Sequence, residues 1–166
     1  MIILGVDPAP NSCGMAIYST TEGRVLQSRK DMPIEDLTDK LLDFPRLFDV
    51  VVIERVQSYG ISGSSLLQTS ETGGRIWQTA LIAGIDVFLY YRREVLRLLD
   101  VSGKGNRDSL VRQRVLEIHG GDRSVAVGKK ATPGPCYGVS GDSWQALAVA
   151  LAHIHSKEYV RARSHP

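Results

Sequence analysis

Apolar residues fall along this chain in short runs, each ended by a lone acid or a turn residue. Ile2-Ile3-Leu4-Gly5-Val6 runs straight into Asp7, and Pro8 and Pro10 halt it. A run bounded at once by turn signals predicts a buried strand. Residues 14–19 predict a second strand, Glu22-Gly23 a tight turn, and residues 24–28 a returning third, together an antiparallel meander. Pro33 opens a helix whose apolar positions are Leu37, Leu41, Leu42 and Phe44, with Pro45 near its end. Residues 48–54 then repeat the opening pattern: a β-branched run closing on Glu54. Being apolar on both faces, it predicts a central strand.

The later pattern is helix-rich. Residues 57–65 read as a polar loop carrying Tyr59, and residues 65–82 as a helix with Leu66, Leu67, Ile76 and Leu81 as core candidates. Gly73-Gly74 in its middle costs about 1 kcal/mol per glycine relative to alanine. That pair predicts close approach of another backbone, from the sheet or from a second subunit. Residues 85–90 predict a strand and residues 94–99 another. A polar glycine loop at 102–106 precedes a helix over 107–119, closed by Gly120-Gly121. Residues 122–139 read as irregular. The last helix starts at Asp142 and runs to about His155, its alanines predicting close packing on the sheet. One domain over residues 1–158 and a frayed tail over 159–166 are expected, without repeats or a dividing linker.

At 166 residues and 43% hydrophobic, the chain is long enough for one proper core. Its 20 Lys+Arg against 18 Asp+Glu imply little by themselves. Their distribution says more, because basic residues gather between Arg92 and Lys130 while key acids stand alone at the ends of apolar runs. That arrangement suits a polyanion held beside a cation site. Cys13 and Cys136 fit no metal-ligand spacing, so a reduced, cytoplasmic setting is expected. No stretch nears the roughly 20 apolar residues of a membrane span, and no export signal precedes Asp7. The histidines show no ligand arrangement.

Asp7 and Glu54 each end a buried strand, and Asp142 opens a buried helix. If the strands are neighbours, their carboxylates converge at one sheet edge with Asp142 facing them. Carboxylates without His or Cys partners favour Mg²⁺ or Mn²⁺ over Zn²⁺, and such sites hydrolyse phosphodiesters. Each acid also has a structural alternative. Asp7 could start the turn before Pro8, Glu54 could pair with Arg55, and Asp142 could serve the helix start.

The order strand-Asp, strand-Glu, final-helix-Asp resembles the RNase H/retroviral-integrase superfamily. The wording of residues 3–8, 52–56, the Gly103-Lys104-Gly105-Asn106 loop and Asp142 with Ala146-Leu147-Ala148-Val149-Ala150 resembles RuvC-type Holliday junction resolvases, particularly their phage-like branch. The resemblance covers essentially the whole domain. It implies an α/β RNase H-like fold, a central mixed β-sheet flanked by α-helices. It implies an endonuclease that resolves four-way DNA junctions by paired symmetric hydrolysis, leaving 5′ phosphates. It also implies two Mg²⁺ or Mn²⁺ ions per site and a symmetric homodimer, with the 65–82 helix as first candidate for the contact.

Carried over residue by residue, Asp7, Glu54 and Asp142 match three of the family's four metal-binding acids. The fourth position holds Gln145, which can lend a carbonyl oxygen but no charge. The family's lysine, early in the helix after the glycine loop, meets Asp108 or Ser109 here, leaving Lys104 and Arg107 as nearby cations. Tyr59 stands where the family carries an aromatic that meets the junction centre, and Lys129-Lys130 is a candidate phosphate contact. Tyr59 could equally be a loop tyrosine, and the lysines a solvated pair. Rival readings are a nuclease for forks, flaps or RNA, a junction-binding protein that never cuts, and an actin-like kinase. The last lacks its second phosphate loop.

Overall fold

The structure, a computed structural model, describes residues 1–57, 60 and 63–163, the last seven of these by backbone alone. Strands β1 (Ile2–Pro8), β2 (Ser12–Ser19) and β3 (Arg24–Pro33) form the expected meander. Helix α1 (Ile34–Asp43) leads to β4 (Val50–Arg55), and α2 (Ser64–Ile82) leads to β5 (Asp86–Tyr91). The sheet order is β3-β2-β1-β4-β5, with β1 and β4, and β4 and β5, parallel. This is a mixed sheet with β1 at its centre.

Strand alternation divides the core in two. Leu4, Val6, Met15, Ile17, Val51 and Ile53 face α1 and α2. Ile3, Ala16, Tyr18, Val50 and Val52 face the other layer. That layer holds α3 (Arg92–Leu98), α4 (Arg107–Ile118) and the long α6 (Ser143–Arg163). Helix α6 lies directly on β1 and β2, and residues Ala146 to Ala152 are all buried. The alanines do what their pattern predicts.

Two glycines set how close that packing is. A methyl group at Gly5 would fall 2.0 Å from the carbonyl oxygen of Ala146. One at Gly14 would fall 2.6 Å from the carbonyl carbon and oxygen of Asp142. No side chain fits either gap, so both glycines are needed to seat the start of α6 on the sheet.

Several expectations need correction. Residues 94–99 are helical, not a strand. Tyr91 and Glu94 form a capping box, with the Glu94 carboxylate accepting from the Tyr91 N–H at 2.8 Å, and Val95 and Leu99 bury one helical face. Leu42 and Phe44, and Leu67 and Leu81, are exposed. The buried positions are Ile34, Leu37 and Leu41 in α1 and Thr69, Thr72, Ile76 and Ala80 in α2. Residues 122–139 contain a short helix, α5 (Arg123–Ala126), and a hairpin of β6 (Gly128–Lys129) and β7 (Thr132–Pro133). Asp142 immediately precedes α6, and that helix continues to Arg163. Among the described residues no backbone outside the helix presses on Gly73 or Gly74: Gly73 meets the Pro8 ring, and Gly74 faces open space.

Replacing Gly5 by alanine should therefore push α6 off β1. Overpacking of this kind costs about 1–3 kcal/mol, and for a domain of this size each kcal/mol lowers Tm by roughly 3 °C. Thermal melts of Gly5→Ala against wild type check this, and an unchanged Tm would mean that α6 is not seated as described.

Candidate active site

Asp7 and Glu54 reach one place by strand register. Val6 pairs with Ile53 across the parallel β1–β4 ladder, so Asp7 and Glu54 are the next residues out on neighbouring strands. Parity puts both on the side of the sheet that carries α6, since Ile3 and Gly5 precede Asp7, and Val50 and Val52 precede Glu54, at two-residue steps. On its other flank Asp7 pairs with Gly14, the residue on which the Asp142 backbone rests. Asp142 thus meets the sheet beside Asp7. Its carbonyl accepts the backbone N–H groups of Gln145 and Ala146 at 3.0 and 3.2 Å, starting the helix.

The sequence missed the group at the centre. Arg92, the first residue of α3, follows Tyr91, the partner of Arg55 in the β4–β5 ladder. Its Nη1 donates to both oxygens of Glu54 at 3.3 Å and to Oε1 of Gln145 at 2.8 Å. Its Nη2 donates to Oδ1 of Asp108. Gln145 in turn donates from Nε2 to the same Asp108 oxygen at 3.3 Å. Glu54 therefore pairs with Arg92, and Arg55 lies instead over the Tyr91 ring at 5.2 Å. The signal that could have found Arg92 was the capping box: reading 91–98 as a helix places its first residue at the carboxyl edge of the sheet.

Burial shapes the electrostatics. It pushes the Asp7 carboxyl up to about 8, reinforced by the Glu54 charge, opposed by Arg92, and raised further by Asp142 and Asp108. Glu54 is also raised by burial, with Arg92 opposing through its charge and hydrogen bonds and Asp108 adding to the rise. Carboxylates crowded into a poorly solvated site hold protons unless a cation relieves them. Arg92 supplies part of that relief.

Among the described residues no three carboxylate, imidazole or thiolate groups stand close enough to hold a metal ion as they are. The carboxyl and amide groups that border the site nonetheless offer oxygen throughout, and burial at Asp7 and Glu54 disfavours their ionised forms, which fits relief by a hard divalent cation. The amide of Gln145, proposed as a weak fourth ligand, is engaged by Arg92 and Asp108 and is 8% exposed. Lys104 and Arg107 are exposed and make no hydrogen bond or ion pair to the site. Lys129 and Lys130 stand exposed on the β6–β7 hairpin, again without contact to the acids. Tyr59 lies outside the described residues. A groove lined by Asp108, Ser109, Arg112, Asp142, Trp144 and Gln145 leads out of the site. The cysteines are buried and free, and among the described residues no helix is long and apolar enough to cross a membrane.

No family model matches the chain. Named relatives do. It is 30% identical over 168 residues to the crossover junction endodeoxyribonuclease RuvC of Mycolicibacterium vanbaalenii, covering 92% of this chain and 78% of that one. The chain belongs to the RuvC family. The RuvC of Corynebacterium jeikeium is 28% identical over 164 residues, covering 90% of this chain and 91% of its own. Among solved structures, RuvC of Thermus thermophilus superposes with a TM-score of 0.66 at 20% identity, over 96% of both chains. The same protein in complex with a Holliday junction substrate gives 0.68 at 18% identity, again over 96% of both. These likenesses show the RuvC fold, an RNase H-like one.

The Asp7 shift has a measurable consequence. An unfolded aspartate titrates near 3.8, so between about pH 4 and pH 8 the native state keeps a proton that the unfolded chain has lost. Stability then falls as pH rises through that window, and the loss is complete above it. Melts in EDTA from pH 5 to 8.5 should show a falling Tm for wild type and a clearly flatter profile for Asp7→Asn. Coincident slopes would place the penalty elsewhere.

Proposed function

We propose that this chain resolves four-way DNA junctions by metal-dependent hydrolysis of paired phosphodiester bonds. The observation that carries this is the placement of Asp7 and Glu54 side by side at the edge of parallel strands, facing the start of α6, in a RuvC-family chain. Supporting it, the relatives bear the name crossover junction endodeoxyribonuclease, and the Thermus protein is seen with a Holliday junction substrate. Asp7 and Asp142 are the candidates to share two Mg²⁺ or Mn²⁺ ions, with Glu54 completing the clamp. When bound, such ions activate a water for in-line attack on the phosphate and stabilise the departing 3′ oxygen, leaving a 5′ phosphate. Asp7 must give up its proton to serve. Glu54 must exchange some of its contact with Arg92 for the metal.

A four-way junction presents two scissile phosphates related by an approximate two-fold axis, which a C₂ homodimer would match. Helix α2 supports that assembly. Leu67, Gly74, Trp77 and Leu81 recur at heptad-like spacing on its outer face, the three large side chains all substantially exposed. Gly74, with open space around it, would let a second helix approach closely. Tyr59 is kept as a candidate for base stacking at the junction centre, and Lys104, Arg107, Lys129 and Lys130 as outer phosphate contacts.

The decisive assay uses a labelled synthetic four-way junction beside matched forks, flaps and duplexes, with Mg²⁺, Mn²⁺ or EDTA. Paired symmetric nicks on the junction, absent with EDTA and with Asp7→Asn, are expected, and Mn²⁺ should outperform Mg²⁺ because Gln145 adds no charge. Even cutting of forks and flaps would widen the substrate to branched DNA in general. Tight binding without cutting would make the chain a junction-binding protein. Separately, Trp77→Glu should shift sedimentation from dimer to monomer and abolish paired nicking. An unaltered dimer would move the interface off α2.

A further inference from the structure

Gln145, which stands for a fourth acid, and Asp108, one of the two residues at the lysine position, meet at one guanidinium. Asp108 sits at the start of α4, where the Asn106 side chain accepts its backbone N–H at 2.9 Å and fixes the first turn. From there its carboxylate takes Arg92 Nη2, while the Gln145 carbonyl takes Nη1 and the Gln145 amide reaches back to the same Asp108 oxygen. Two residues that seemed to be losses thus form a bracket around a third. A carboxylate at position 145 would bind Arg92 as an ion pair and draw it towards the acids. The neutral amide only steers it.

The exposures run in the useful direction. The Glu54 side chain is 12% exposed, Arg92 29% and Asp108 70%, so the guanidinium links the buried acid to an exposed one. It is permanently charged and forked, which suits the oxygens of a phosphodiester. Lys104 and Arg107, the cations nearer in sequence to the lysine position, make no contact with the site.

We propose that Arg92 is the cation that contacts the scissile phosphate in this chain, and that Asp108 and Gln145 are positioning residues that aim it. The inference rests on the nuclease reading above. It gives the charge needed to admit a phosphate beside so many acids to a residue on α3 rather than on α4.

The test separates the two readings. Wild type is first shown to cut the junction; if it does not, the nuclease reading fails by itself. Arg92→Gln should then slow single-turnover cutting by about 10²–10³-fold, the loss typical of removing one preorganised donor. Arg92→Lys should recover part of that. A second readout needs no turnover: junction affinity in Ca²⁺, with one methylphosphonate replacing the scissile phosphate. Wild type should bind the neutral linkage more weakly than the natural one, and Arg92→Gln should show a clearly smaller penalty. Calorimetric Mn²⁺ affinity of Arg92→Gln should hold or rise, because a cation has left the neighbourhood of the acids. Asp108→Asn should lower kcat about tenfold with little change in KM, and Asp108→Glu should restore it. The assignment is overturned by wild-type cutting in Arg92→Gln, by equal methylphosphonate penalties in both proteins, or by a tenfold fall in Mn²⁺ affinity.

Discussion

Everything at the site depends on how near α6 can come to the sheet. At Gly5 and Gly14 the two backbones touch with no room for a single carbon between them. That contact fixes the height of the helix over β1 and β2, and so the position of Asp142 and Gln145 relative to Asp7. An extra methyl group at either glycine would lift the start of α6 and shift Asp142 relative to Asp7. Packing in this chain is therefore inseparable from chemistry. The small residues of α6 and β1 are there less to fill volume than to permit an approach.

A second constraint is electrostatic. Strand register forces Asp7 and Glu54 together, and burial then makes their shared ionisation unfavourable. The fold answers with Arg92, held on three sides by β4, α4 and α6. Without a cation the site is partly protonated and partly neutralised by its own arginine. On the proposed function, a divalent ion would take the place of a proton and of some of the arginine's contacts. Such a site is expected to be a poor binder at low pH and a better one as Asp7 ionises.

Much of this was legible in the residues. β1 and β4 announce themselves because an apolar run closed by one acid has few other physical readings, and the alanine-rich helix after Asp142 likewise. The carboxylates follow from the strands. Arg92 did not, because Val95, Leu96, Leu98 and Leu99 form a short apolar cluster that periodicity cannot tell from a strand. A hydrogen bond between Glu94 and the backbone of Tyr91 decided it. The outward Leu67 and Leu81 were misread for a related reason. A helix with apolar residues on two faces does not say which one the sheet takes, and here the sheet took Thr69, Thr72, Ile76 and Ala80.

The site draws on residues 7, 54, 92, 108, 142 and 145, so its parts span nearly the whole chain. Until α6 docks, β1 and β4 present an uncovered apolar face bearing Asp7 and Glu54 with nothing opposite them. During synthesis, then, the first 140 residues can pair strands and bury α1 and α2 while remaining chemically inert. If the chain cuts DNA as proposed, it cannot do so before its last helix has been made. Order of translation becomes a safeguard written into the topology.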